Sequence, residues 1–262
     1  MAEKNKAEIW IKLSLSDLKA SKILYEYKEY RVSYYLFQQA TEKANKAFAL
    51  KFEMANEDDL KDMGHNHFKL NRRLAAKELQ ELDNVIKESE ELSPNLQKKY
   101  KNLKNGLREL DALRSQDLVN LTSKEINTLY KQVSLYRKSY IERNPKVKKA
   151  LEEKDESKIG SLLVFGLLQR MLDKRFIKLS ISACGILTLQ HNTLSRYPES
   201  KKDPTKIYNS KLPIIKKQPL FMDLLQEVIY KMKEFSDDKI LKNLFEKIQK
   251  VGNKREITGD KI

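Results

Sequence analysis

The sequence predicts an all-α protein, an up-and-down helical bundle. Three observations carry this. The 262 residues include only 7 Gly and 6 Pro, too little punctuation for a sheet protein's frequent turns. Apolar residues recur three and four apart over long stretches. Helix start signals stand ahead of several of these stretches.

The elements follow in order. Ile11, Leu15, Leu18 and Leu24 share one helical face, which predicts a first helix from Ala7 to Tyr27. A second covers Val32 to Met54. NEDDLKDMG then breaks the pattern, with Gly64 as the turn residue. A third helix starts near His65 and runs through Leu70, Leu74, Leu79 and Leu82. Ser93-Pro94 is an N-cap followed by proline at the first helical position. Thr122 and Glu125 have capping-box spacing and open a helix to Arg143, which Asn144-Pro145 ends. Ser157 to Leu194 reads as one long helix. Pro198, Pro204, Pro213 and Pro219 predict an irregular loop after it. Leu220 to Phe235 and Asp237 to Val251 close the chain, with a frayed tail.

Composition bounds the function. The formal charge is +15, which favours anionic partners, although the basic residues are spread along most of the chain. The single Cys184 permits no internal disulfide and fits a reducing compartment. MAEKNKAEIW lacks the apolar run of a signal peptide. SLLVFGLL, cut short by Gln169, Arg170, Asp173, Lys174 and Arg175, falls short of the roughly 20 apolar residues of a membrane span. A cytoplasmic protein without membrane partners is expected. No Walker loop, dinucleotide fingerprint, nucleophile elbow or metal-ligand cluster is present in the sequence, so neither cofactor nor metal is predicted.

YYLFQQATEKANKAF, Tyr34 to Phe48, places Ala40, Ala44 and Ala47 on one face. Such a stripe lets another helix approach closely, within a bundle or across a dimer contact. From Tyr130 to Lys149, Lys131, Arg137, Lys138, Arg143, Lys146, Lys148 and Lys149 stand against the single acid Glu142, with Tyr130, Tyr136 and Tyr140 interleaved. Lysines neutralise phosphates and tyrosines stack bases. The same pattern also suits a solvated face with tyrosines packed at its edge.

Four motifs in order resemble the HEPN superfamily of prokaryotic helical domains found beside nucleotidyltransferases. Trp10, Ser14, Asp17 and Leu18 match its opening helix. Gln38-Gln39-Ala40-x-Glu42-Lys43-Ala44-x-Lys46-Ala47 matches its second. His65, Asn66, His67 and Leu70 stand where the family has His-Asp-Leu-x-x-Leu, with Asn for Asp and His for Leu. Arg196, Tyr197, Pro198 and Glu199 match its Arg-Tyr-Pro-acid. The resemblance covers residues 8–75 and 160–235. It implies two halves of one HEPN-like bundle, 1–75 and 157–262, around a long antiparallel helical insertion, 76–156.

The resemblance further implies a toxin–antitoxin or defence protein that binds or acts on RNA, a nucleotidyltransferase-type partner and a homodimer. Many relatives are metal-independent ribonucleases, whose signature is an Arg and then a His with four to six residues between them. Here the signature is absent: none of His65, His67 and His191 follows an Arg at that spacing. The catalytic candidates are His65 as acid or base and Arg196 for phosphorane charge, expected in one cleft. The reading from a different class is a non-catalytic helical module that binds a nucleotidyltransferase or a nucleotide.

Overall fold

The computed structural model describes residues 2–63, 76, 80, 101, 105, 121–135, 137, 159–189 and 203–235. The elements are α1 (Ala2–Glu26), α2 (Tyr30–Lys51), α3 (Glu57–Met63), α4 (Ser123–Ser134), α5 (Ile159–Thr188), α6 (Pro204–Ile207) and α7 (Pro213–Glu234). The protein is all-α, with no strand among the described residues. The expected helices near His65, after Ser93-Pro94 and from Asp237 to Val251 lie outside those residues, as does most of the proposed insertion.

α1, α2, α5 and α7 form an up-and-down bundle of four helices. Their directions follow from which ends meet. Tyr34, early in α2, donates to the Leu187 carbonyl late in α5 at 2.6 Å. Asp173, further back in α5, pairs with Lys231 near the end of α7 at 3.5 Å. Lys22, late in α1, reaches Asp223 in the first half of α7 at 2.6 Å. The core between them holds Ile11, Leu18, Tyr34, Phe37, Phe176, Ile181, Phe221 and Leu225. α4 lies along α5 and α7 and contributes Ile126 and Val133. Burying each large apolar side chain contributes roughly 1.5–3 kcal/mol.

α1 and α2 make the most extensive helix pair. Small residues recur every seven positions on α1, at Ala7, Ser14 and Ser21, all buried. Ser14 and Ser21 lie opposite Ala40 and Ser33 of the antiparallel α2, and Ala7 packs with Ala49 and Leu50. The Ser14 hydroxyl donates to the Ala40 carbonyl at 2.6 Å. Ser21 and Ser33 each donate to the other's carbonyl, at 2.7 and 2.8 Å. Gln218 of α7 then donates to the Ser33 hydroxyl at 2.8 Å. A short hydroxyl reaches a neighbouring backbone only if the helices approach closely, and small side chains at these positions permit that. Ala40, Ala44 and Ala47 are fully buried within one copy of the chain, so the stripe is covered by the bundle itself.

Both helices end without glycine. Lys28 (φ 63°) and Glu53 (φ 54°) hold the left-handed position that glycine usually takes. Glu29 N–H reaches the Leu24 carbonyl at 2.9 Å, and Met54 N–H the Ala49 carbonyl at 2.8 Å, the long closing bond of a Schellman motif in each case.

Besides the end of α5, at Thr188 rather than Leu194, three boundaries differ from expectation. NEDDLKDMG does not simply break the pattern: Glu57–Met63 is a short helix. The Asn56 side chain accepts from Asp59 N–H at 2.8 Å, and the Asp59 carboxylate from Asn56 N–H at 3.0 Å, with acids in the first turn favouring the helix dipole. The capping box at Thr122 forms, with Glu125 N–H to Thr122 at 3.3 Å and Thr122 N–H to Glu125 at 2.8 Å. That helix nevertheless stops at Ser134, not Arg143. The Ser134 hydroxyl bonds back to the Tyr130 carbonyl at 2.8 Å, as Thr128 does to Lys124 inside the same helix.

The third difference is the proline region. Pro213 is not in a loop but at the start of α7, where its missing N–H costs nothing. Pro219 lies inside the same helix. It cannot donate to the carbonyl four residues back, which is that of Ile215. The Tyr25 hydroxyl of α1 donates to that carbonyl instead, at 3.0 Å. A tertiary contact replaces the missing helical bond, so the helix continues through the proline.

Candidate functional site

The two motif-bearing helices meet along one seam. Ser14 binds the Ala40 backbone, as above. Asp17 forms an ion pair with Lys43. Lys46 pairs with Glu42 at 2.8 Å, and its ammonium lies 4.9 Å from the centre of the Trp10 ring, within cation–π range. Further along, Lys51 reaches Glu8 at 3.2 Å. Helical spacing makes this inevitable once the register is set: Trp10, Ser14 and Asp17 repeat on one face of α1, and Lys43 and Lys46 flank the buried alanines of α2.

The buried face of α2 is unusually polar. Gln38, Thr41, Glu42 and Asn45 are all buried. Thr41 and Asn45 satisfy themselves on carbonyls four residues back, at 2.9 and 3.1 Å. Gln38 does not. It is 1% exposed, and neither its Oε1 nor its Nε2 has a hydrogen-bond partner. Gln39 Nε2 is likewise unpartnered. A buried, unsatisfied amide costs about 1–3 kcal/mol, so this part of α2 is built at the expense of stability.

The predicted site residues fall as follows. His65 and Arg196 lie outside the described residues, and so do Lys138, Tyr140, Arg143, Lys146, Lys148 and Lys149. Lys131 is exposed on α4. Arg137 is exposed, but its guanidinium forks onto Glu227 of α7, with Nη2 to Oε2 at 2.7 Å and Nε to Oε1 at 3.2 Å. That pairing raises the Arg137 pKa. A phosphate at Arg137 would compete with this carboxylate. Tyr130 packs edge-on against Phe221, with ring centres 5.6 Å apart, as a tyrosine at the border of the core does.

Among the described residues no group of three or more His, Cys, Asp or Glu is placed to hold a metal. No described helix is long and apolar enough to cross a membrane. Cys184 is buried, which pushes its thiol pKa up and leaves it inert. Burial also raises Tyr34 and Tyr208, whose rings lie 5.6 Å apart. No family model matches the chain, and no curated protein or solved structure matches it.

Sequence reasoning missed the Ser21–Ser33–Gln218 network and the Glu8–Lys51 pair. The seven-residue spacing of Ala7, Ser14 and Ser21 is the signal that leads to the first. Nothing local marks the second.

Proposed function

We propose that this chain is a HEPN-like protein of a prokaryotic toxin–antitoxin or defence system, a cytoplasmic homodimer that binds or acts on RNA. One observation carries the reading. The residues that resemble the family's first two motifs engage one another directly: Ser14 with Ala40, Asp17 with Lys43, Trp10 with Lys46. The two motifs thus share one seam of the α1–α2 hairpin. The net charge of +15 supplies the sequence-independent attraction to a phosphate backbone. His65 and Arg196 are the residues proposed to handle a 2′-hydroxyl and a phosphate.

The experiment is incubation of the purified chain with total RNA in the presence of a chelator. Binding is expected. Cleavage that His65→Ala and Arg196→Ala abolish would make the protein a metal-independent ribonuclease. Neither binding nor cleavage would refute the RNA reading.

The second reading is a non-catalytic helical module for a nucleotidyltransferase partner or a nucleotide. It is favoured by how many cations are already engaged. Arg137 is held by Glu227, Lys43 by Asp17 and Lys46 by Glu42. A chain that leaves RNA untouched but retains a nucleotidyltransferase on a column would establish it.

A further inference from the structure

The outer face of α1 is apolar and exposed. Seven large apolar side chains are exposed among the described residues, and four of them lie on or just after α1: Ile9 (54%), Leu13 (43%), Ile23 (44%) and Tyr27 (76%). With Ser16 and Ala20 they continue one stripe at alternating steps of four and three, opposite the buried Leu18. A groove of about 440 Å³ runs beside it between α1 and α7, bordered by Lys12, Lys19 and Glu26 and by the exposed Tyr230.

The stripe reads the same in both directions about residue 18. Ile9 mirrors Tyr27, Leu13 mirrors Ile23, and Ser16 mirrors Ala20. We infer that this face pairs with the same face of a second copy of the chain, the two α1 helices running antiparallel about a two-fold axis. Large residues then meet large ones at both ends, and small residues meet at the axis, where the helices come closest. An isologous contact requires this self-complementarity; an unrelated partner does not.

The flanking charges agree. On the groove side the order is Lys12, Lys19, Glu26. Antiparallel pairing brings Lys12 of each copy beside Glu26 of the other, giving two attractive pairs. Lys19 meets its own counterpart at the water-facing edge of the axis, a like-charge contact. The paired span from Ile9 to Tyr27 is about 28 Å long at 1.5 Å per residue. One such helix pair stands at the small end of stable interfaces, so a dissociation constant in the micromolar range is expected. The inference deepens the homodimer of the proposed function but rests on α1 alone. Dimers that ignore RNA, or RNA binding by monomers, would tell the two apart.

Sedimentation equilibrium of the full chain from about 1 to 100 μM covers that range. The mass should rise from 30.8 kDa towards twice that value. Leu13→Arg and Ile23→Arg change exposed positions, so helical circular dichroism should persist while association weakens by more than about 100-fold. Glu26→Lys should weaken it roughly tenfold, by turning two attractive pairs repulsive. Adding Lys12→Glu to that variant should restore it to within about threefold of the original. A monomer at every concentration, a dimer indifferent to Leu13→Arg, or a double variant no tighter than Glu26→Lys would each overturn the inference.

Discussion

Changing Tyr25 to Phe deletes one hydroxyl, and its cost should depend on a residue nearly 200 positions away. That hydroxyl donates at 3.0 Å to the Ile215 carbonyl, the group that Pro219 cannot serve. Ile215 is fully buried, so water is a poor substitute. Leaving the carbonyl unpaired should cost about 1–2 kcal/mol, within the range for an orphaned buried group. Pro219→Ala returns an N–H to position 219, where it can donate to the same carbonyl. In that background Tyr25→Phe should cost no more than about 0.5 kcal/mol, so the coupling is about 1 kcal/mol.

The assay is urea unfolding of the four proteins, followed by circular dichroism and by the fluorescence of the single Trp10, which packs against the core. Coincident transitions license the comparison. In melting temperature, Tyr25→Phe alone should lower the midpoint by about 2–8 °C, taking 2–4 °C per kcal/mol for a chain of this size. An equal loss with proline or alanine at 219 would show that the hydroxyl does not replace the missing helical bond.

Lys28→Gly and Glu53→Gly should each raise stability by up to about 1 kcal/mol, because both residues bear the left-handed cost that glycine avoids; unfolding midpoints that fall would place the strain elsewhere. Gln38→Leu should raise stability by about 1–3 kcal/mol, since it removes a buried amide with neither atom bonded. The same variant should lose RNA binding if the amide is kept for function, and a variant that is both less stable and fully active would show that the amide is satisfied.

What the sequence reveals and hides follows from the range of the forces involved. Thr122 and Glu125 could be read as a cap because both halves of the box lie within one turn. The apolar period located α1, α2 and the long α5, with ends off by up to six residues, because burial imposes that period wherever a helix faces a core. The ends of α1 and α2 were harder, since lysine and glutamate occupy positions that glycine would have advertised. Pro219 misled outright. Its penalty is met by Tyr25, and no local pattern records a contact between helices so far apart in the chain. The site divides the same way. The motif residues of α1 and α2 stand where a shared seam can form, yet their partners, Asp17 for Lys43 and Trp10 for Lys46, emerge only once the antiparallel register is known. Arg137 looked like one of several equivalent cations, but Glu227 on a distant helix engages it.

We propose that the chain binds RNA through its basic run, and the salt dependence of binding probes this. Affinity for a labelled single strand would be measured by anisotropy across a range of salt, for the native chain and for Lys138→Gln/Arg143→Gln/Lys146→Gln. Each phosphate that is no longer neutralised should flatten the log–log slope by about 0.7, so the triple variant should bind more weakly and with a slope shallower by roughly 2. Tyr140→Ala should instead cost about 1–3 kcal/mol and leave the slope nearly unchanged, because stacking releases no counterions. Unchanged affinity and slope in the triple variant would mean that RNA does not bind there and leave the basic run as a solvated face.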